Sequence, residues 1–258
     1  MAFVELEKRG PVAWVTINRP DRMNALGREV NQGLRQAWLD FEADPELRVA
    51  VLTGAGDRAF CAGADLKEAD ARGGEGGMGG GQPAGSSPGP SVSMTTKPVI
   101  AAINGYCLAG GLELADACDL RIASENAEFG CPEVKWNLLH GYGAIRMAHS
   151  IPHAYAMQLL MTGEFIDAPE ALKFGLVSKV VPQSQLVAKA QSMAEIIASR
   201  APLAIRATKQ LFYASLNMPL NQALTYYSPV TRLNSLSSDT KEGPLAFSEK
   251  RTPQFQGR

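Results

Sequence analysis

Cysteine is scarce in this chain, four in 258 residues, and none belongs to a CxxC pair. Cys61, Cys107, Cys118 and Cys131 stand singly, with no histidine beside them. That spacing offers neither a disulfide framework nor a zinc site, and reads as reduced, buried, small apolar side chains. Histidine is scarcer still, and His140, His149 and His153 lack HExxH spacing. Neither Ser86 nor Ser87 sits in a Gly-x-Ser-x-Gly elbow, which removes support for a serine hydrolase. Charge of one sign is missing too: 25 Lys and Arg against 26 Asp and Glu give a formal net charge of -1 and a pI near 6.3. Such a balance carries no global excess to attract nucleic acid or anionic lipid. No stretch approaches about 18 uninterrupted apolar residues, and residues 1–9 carry acids where a secretory signal would place its apolar run. The expectation is a cytoplasmic protein with no metal, no nucleic-acid partner and no membrane partner.

What the chain does contain is an alternation of short apolar runs and helical patterns. Val12–Ile17 reads as a β-rich strand, stopped by Asn18-Arg19-Pro20-Asp21. Leu26, Val30, Leu34, Trp38 and Phe41 then recur at spacings of four or three, on one face of a helix ending near Asp44-Pro45. Residues 49–53 and 99–103 are short buried strands, closed by Gly54-Ala55-Gly56-Asp57 and Asn104-Gly105. A helix over 110–118 and strands near 120–123 and 175–181 continue the pattern. Alternation of this kind predicts an α/β core with parallel connections. From Gln183 the chain becomes mostly helical, with Leu186, Ala190, Met193 and Ile197 on one face and further helices over 204–216 and from Leu220. This change of class divides a core, residues 1–195, from a helical C-terminal region, residues 196–258. Residues 73–90, rich in Gly, Pro and Ser, cannot bury enough apolar surface to offset ordering entropy and read as a flexible loop. They lack the Gly-Lys-Ser/Thr ending and flanking strand and helix of a phosphate loop.

Gly110-Gly111-Leu112-Glu113 opens the helix over 110–118. Free N–H groups at a helix start favour negative charge, and glycine lets a ligand approach the backbone closely. Glu113 lies on the same side of the first turn as Gly110, so its carboxylate either sits beside whatever those amides bind or simply offsets the helix dipole. A second carboxylate, Glu133, follows the turn signal Gly130-Cys131-Pro132. A third segment reads Phe60-Cys61-Ala62-Gly63-Ala64-Asp65-Leu66-Lys67. Together these segments resemble the crotonase, or enoyl-CoA hydratase/isomerase, superfamily. Residues 161–168 and 171–177 extend the resemblance over nearly the whole chain.

The resemblance implies an α/β fold in which repeated ββα units form a spiral of packed sheets. A helical C-terminal oligomerisation region would assemble subunits as trimers paired into a homo-hexamer. It implies an acyl-CoA thioester substrate, with the carbonyl oxygen held between the backbone N–H groups of Ala64 and Gly110. No cofactor is implied beyond the CoA moiety itself. Both carboxylates are present, as in hydratases, and two carboxyls sharing a site suit one base and one acid. The resemblance gives Glu113 the base that activates water for attack on the β-carbon, and Glu133 the acid that supplies the α-proton. The implied reaction is reversible addition of water to a trans-2-enoyl-CoA. A specialised dehydratase or isomerase acting on a branched, cyclic or carnitine-like acyl group would use the same pair. A CoA- or RNA-binding member would not need both. Carried-over CoA contacts are Arg22, Arg58, Ala62, Asp65, Leu66 and Lys67, with Phe247 and Lys250 reaching a neighbouring subunit's CoA. One stretch departs from the family. Where hydratases read Gly-x-x-Pro-x-x-Gly-Gly, this chain has His140 at the proline position. His140 is a candidate third titratable group. With no carboxylate pairing with it in the local sequence, it reads as a turn histidine bonded to backbone.

Overall fold

The computed structural model describes residues 2–70 and 91–258, so the glycine-rich segment 73–90, expected as a flexible loop, lies outside the described residues. The chain opens with β1 (Val4–Arg9), antiparallel to β2 (Val12–Ile17). β1 was not foreseen as a strand. Its Glu5 and Glu7 face solvent while Val4 and Leu6 pack inward, the charged alternation of an edge strand. α1 (Arg28–Ala43) buries Val30, Leu34, Ala37, Trp38 and Phe41. Leu26, expected on that face, precedes the helix. Gly27 is extended and caps α1, which leaves Leu26 in an isolated parallel bridge with Ala64.

Three ββα units follow. β3 (Val49–Gly54) and β4 (Ala59–Cys61) lead to α2 (Leu66–Asp70). β5 (Val99–Ile103) and β6 (Tyr106–Leu108) lead to α3 (Gly110–Asp116). β7 (Leu120–Ser124) and β8 (Glu128–Gly130) lead through the 3₁₀ turn Pro132–Trp136 to α4 (Gly141–Ser150). α5 (His153–Thr162), β9 (Ile166–Asp167), α6 (Ala168–Phe174) and β10 (Lys179–Val181) complete the core. The first strand of each unit joins a six-stranded sheet of order β1-β2-β3-β5-β7-β10, and the second joins a four-stranded sheet of order β4-β6-β8-β9. Pairs are parallel except β1–β2 and β8–β9. A turn within each unit moves the chain from one sheet to the other, so the repeat winds as a spiral. Asn104 fastens one such corner, its Nδ2 donating to Gly54 O at 2.8 Å and Gly56 O at 2.7 Å. The expected strand over 175–181 is shorter, because Gly175 caps α6 in the left-handed conformation and only Lys179–Val181 pairs.

The large sheet is buried on both faces, which is why its strands read as continuous apolar runs. Ala13, Val15, Ile17, Leu52 and Ile103 face the main core with Phe41, Phe60, Leu112 and Phe129. Val12, Trp14, Val49, Val51, Ile100 and Ile122 point the other way, against Leu186, Ala190, Ala194 and Ala198 of α7 (Leu186–Ala198). The division expected at 195/196 falls inside α7. α8 (Pro202–Ser215), α9 (Leu220–Ser235) and α10 (Asp239–Ser248) follow it.

Candidate active site

β4, β6 and β8 lie side by side and parallel, Cys61 aligned with Cys107 and Leu108 with Gly130. Their C-terminal ends therefore open on one edge of the small sheet, the edge at which parallel α/β sheets bind ligands. The segments leaving these ends are residues 62–65, 109–113 and 131–133, the three singled out in the sequence. The first two meet backbone to backbone. Gly63 has φ +92, and a Cβ there would stand 2.7 Å from the Cβ of Ala109. A Cβ on Gly111 would fall 2.0 Å from the carbonyl oxygen of Cys61. Only glycine permits either approach.

Ala109 turns the chain from β6 into α3 at φ 51 and ψ -129. Such a conformation favours glycine and costs an alanine about 1–3 kcal/mol, the kind of local strain concentrated at functional sites. It leaves Gly110 as the first helical residue, whose N–H has no acceptor within the helix. The bridge that holds the opposite segment runs from Leu26 N–H to Gly63 O and from Asp65 N–H to Leu26 O, and so does not use the Ala64 amide. A Cβ on Gly110 would lie 3.9 Å from the Ala64 nitrogen. The structure thus brings together the two amides that the resemblance paired.

Glu113 sits one turn into α3, half-buried, and its Oε1 accepts the Gly143 N–H at 2.9 Å. Glu133 lies in the 3₁₀ turn, 5% exposed, entered through Pro132. Both carboxylates act on the thiol of Cys131: burial, then Glu133, Glu113 and Asp116, push it well up. All four cysteines are buried and unbridged, and burial likewise pushes Cys61 up to about 12, a bond to the Gly63 backbone opposing it.

His140 corrects the sequence reading. Its Nδ1 lies 2.6 Å from Glu133 Oε1, with both side chains buried, so its partner is a carboxylate and not the backbone. Asn137, in the left-handed conformation that asparagine tolerates, ends the 3₁₀ turn and folds residue 140 back over residue 133. The asparagine between them was the only local sign of this return. Gly143 was also overlooked. It places its N–H on Glu113, and a Cβ there would lie 1.9 Å from His140 Nε2.

Of the expected CoA contacts, Arg22, Arg58, Leu66 and Lys67 are exposed, and Ala62 is half-buried. Asp65 is engaged internally, its Oδ2 2.9 Å from Arg19 Nη2 and its Oδ1 accepting the Glu68 N–H. Burial raises its pKa, but the Glu68 N–H, Arg19 and Arg22 outweigh that and hold it below its ordinary value. Phe247 and Lys250 are exposed at the end of α10.

A ββα spiral carrying two amides and two carboxylates at one sheet edge defines an enzyme of the crotonase class. The sequence pattern of the enoyl-CoA hydratase/isomerase family matches residues 7–258, and the chain belongs to that family. It is 46% identical over 271 residues to an (E)-benzylidenesuccinyl-CoA hydratase of Thauera aromatica, spanning 98% of this chain and 99% of the relative. It is 41% identical over 266 residues to an enoyl-CoA hydratase of Mycobacterium tuberculosis, spanning 98% and 96%. The crystal structure of an enoyl-CoA hydratase from Mycobacterium marinum matches it with a TM-score of 0.92 at 37% identity, over 100% of both chains.

Proposed function

We propose that the protein is an enoyl-CoA hydratase, adding water reversibly across the 2,3 double bond of a trans-2-enoyl-CoA. The observation that carries this reading is the convergence of Glu113 and Glu133 on the edge where the Ala64 and Gly110 amides meet. The thioester oxygen sits between those amides. As the oxygen of water bonds to the β-carbon, negative charge moves onto the thioester oxygen, where one preorganised donor is typically worth ~10²–10³ in rate. Glu113, oriented by the Gly143 N–H, takes the proton that water loses. Glu133 gives its proton to the α-carbon. The proton gained by one carboxylate equals the proton lost by the other, and exchange with solvent restores both.

The reaction needs no metal or redox cofactor, and the partner is the acyl-CoA. Its nucleotide end is held by Arg22, Arg58 and Lys67 with residues Ala62, Asp65 and Leu66, and by Phe247 and Lys250 of a neighbouring subunit in a homo-hexamer. Fatty-acid metabolism in the cytoplasm is the setting, which cell fractionation tests. A second reading, a dehydratase, hydratase or isomerase of a specialised acyl group, is favoured by the name of the Thauera relative. It keeps the same glutamates and changes the acyl pocket.

Glu113→Gln and Glu133→Gln remove a proton-transfer group with little change in volume. Each is expected to lower kcat by ~10²–10⁴ while leaving acyl-CoA affinity within a few-fold. Near wild-type turnover by either variant would sink the assignment.

A further inference from the structure

We propose that His140 is a positioning residue that decides which oxygen of Glu133 delivers the proton. The inference rests on the hydratase reading of the same site and extends it to a residue that the two-carboxylate mechanism leaves out. Three observations carry it. His140 Nδ1 and Glu133 Oε1 are 2.6 Å apart, with side chains only 2% and 5% exposed. Glu133 Oε2 is buried and has no hydrogen-bond partner among the described residues, and the same is true of His140 Nε2. The ring is also fixed in place: residue 140 is the N-cap of α4, its carbonyl accepts the Ala144 N–H at 2.8 Å, and the absent side chain of Gly143 leaves room for Nε2.

With the ring proton on Nδ1, the assignment on which the proposal stands, the imidazole donates to Oε1, which then acts as the acceptor. The transferable proton of the carboxylic acid consequently resides on Oε2, the oxygen that no protein group occupies. During delivery the Oε2–H bond breaks and the α-carbon–H bond forms. The Nδ1–H stays on the imidazole, and its bond to Oε1 strengthens as carboxylate charge appears. In the dehydration direction the same bond holds Oε2 open to receive the proton. The turn 140–143 thereby orients both carboxylates, Glu133 through the His140 ring and Glu113 through the Gly143 N–H.

The test compares His140→Asn, whose amide nitrogen reproduces Nδ1, with His140→Leu, which has no donor, and His140→Gln, whose amide nitrogen stands where Nε2 was. Wild-type turnover on enoyl-CoAs is read first, and thermal unfolding confirms that each variant is folded. His140→Leu is expected to lose about 100-fold in kcat, the scale of one general-acid contribution, with KM within about threefold. His140→Asn recovers to within about tenfold of wild type, and His140→Gln stays low. Should the leucine variant fail to fold, the asparagine–glutamine contrast carries the test alone. Wild-type kcat in a folded His140→Leu, or His140→Asn no better than His140→Gln, would overturn the positioning role alone. A wild type that hydrates no enoyl-CoA would overturn the hydratase reading and this proposal with it.

Discussion

At the residue scale, the site depends on atoms that are missing as much as on those present. Gly111 faces a backbone carbonyl that cannot swing aside, so Gly111→Ala must push α3 away from the end of β4 and separate the Gly110 and Ala64 amides. A displacement near 1 Å at such a site costs on the order of 100-fold in rate, and that is the loss expected in kcat/KM. Near wild-type kcat/KM in the folded variant would show that the close approach is not what sets the amide pair. Glu113, Ala64 and Gly110 were singled out through the family resemblance, which contiguous runs carry; their glycines and acid alone fit tight turns and a helix dipole equally well. The His140–Glu133 pair was not, because it forms across a reversal centred on Asn137, and nothing at residue 140 itself names its partner. The strain at Ala109 was equally hidden: the residue type there argues against the conformation it adopts.

At the scale of elements, the strands of the large sheet were readable because burial on both faces leaves them uniformly apolar. β1 was not, since an edge strand alternates charge with half-buried Val4 and Leu6 and its short period is easily taken for a polar leader. The helix over α1 was readable by its spacing, but the spacing alone did not reveal that Gly27 starts the helix after Leu26. α8 to α10 present a different case. Phe212, Leu220, Leu224, Tyr227, Leu233, Leu236 and Phe247 are each more than half exposed in the single chain. Apolar surface of that extent on one helical region is what the proposed hexamer would cover. Light scattering at micromolar concentration is expected to give the mass of six chains. A monodisperse monomer would contradict the assembly and remove Phe247 and Lys250 from the neighbour's CoA site.

At the scale of the whole molecule, the spiral explains why segments some 20 to 50 residues apart share one site: each ββα unit contributes the loop after its second strand, and those strands are neighbours in one sheet. This was legible as a resemblance carried by three short motifs, whereas periodicity alone gave only an α/β core. Among the described residues no helix is long and apolar enough to cross a membrane. The most direct test is turnover by the wild-type protein, followed as loss of enoyl-thioester absorbance across trans-2-enoyl-CoAs of increasing chain length and across aryl-substituted, branched and carnitine-like acyl groups. The account predicts absorbance loss with 3-hydroxyacyl-CoA as product, and the best substrate among these acyl groups separates the general hydratase from the specialised enzyme. No loss with any of them, at enzyme concentrations where the protein still binds acyl-CoA, would contradict it.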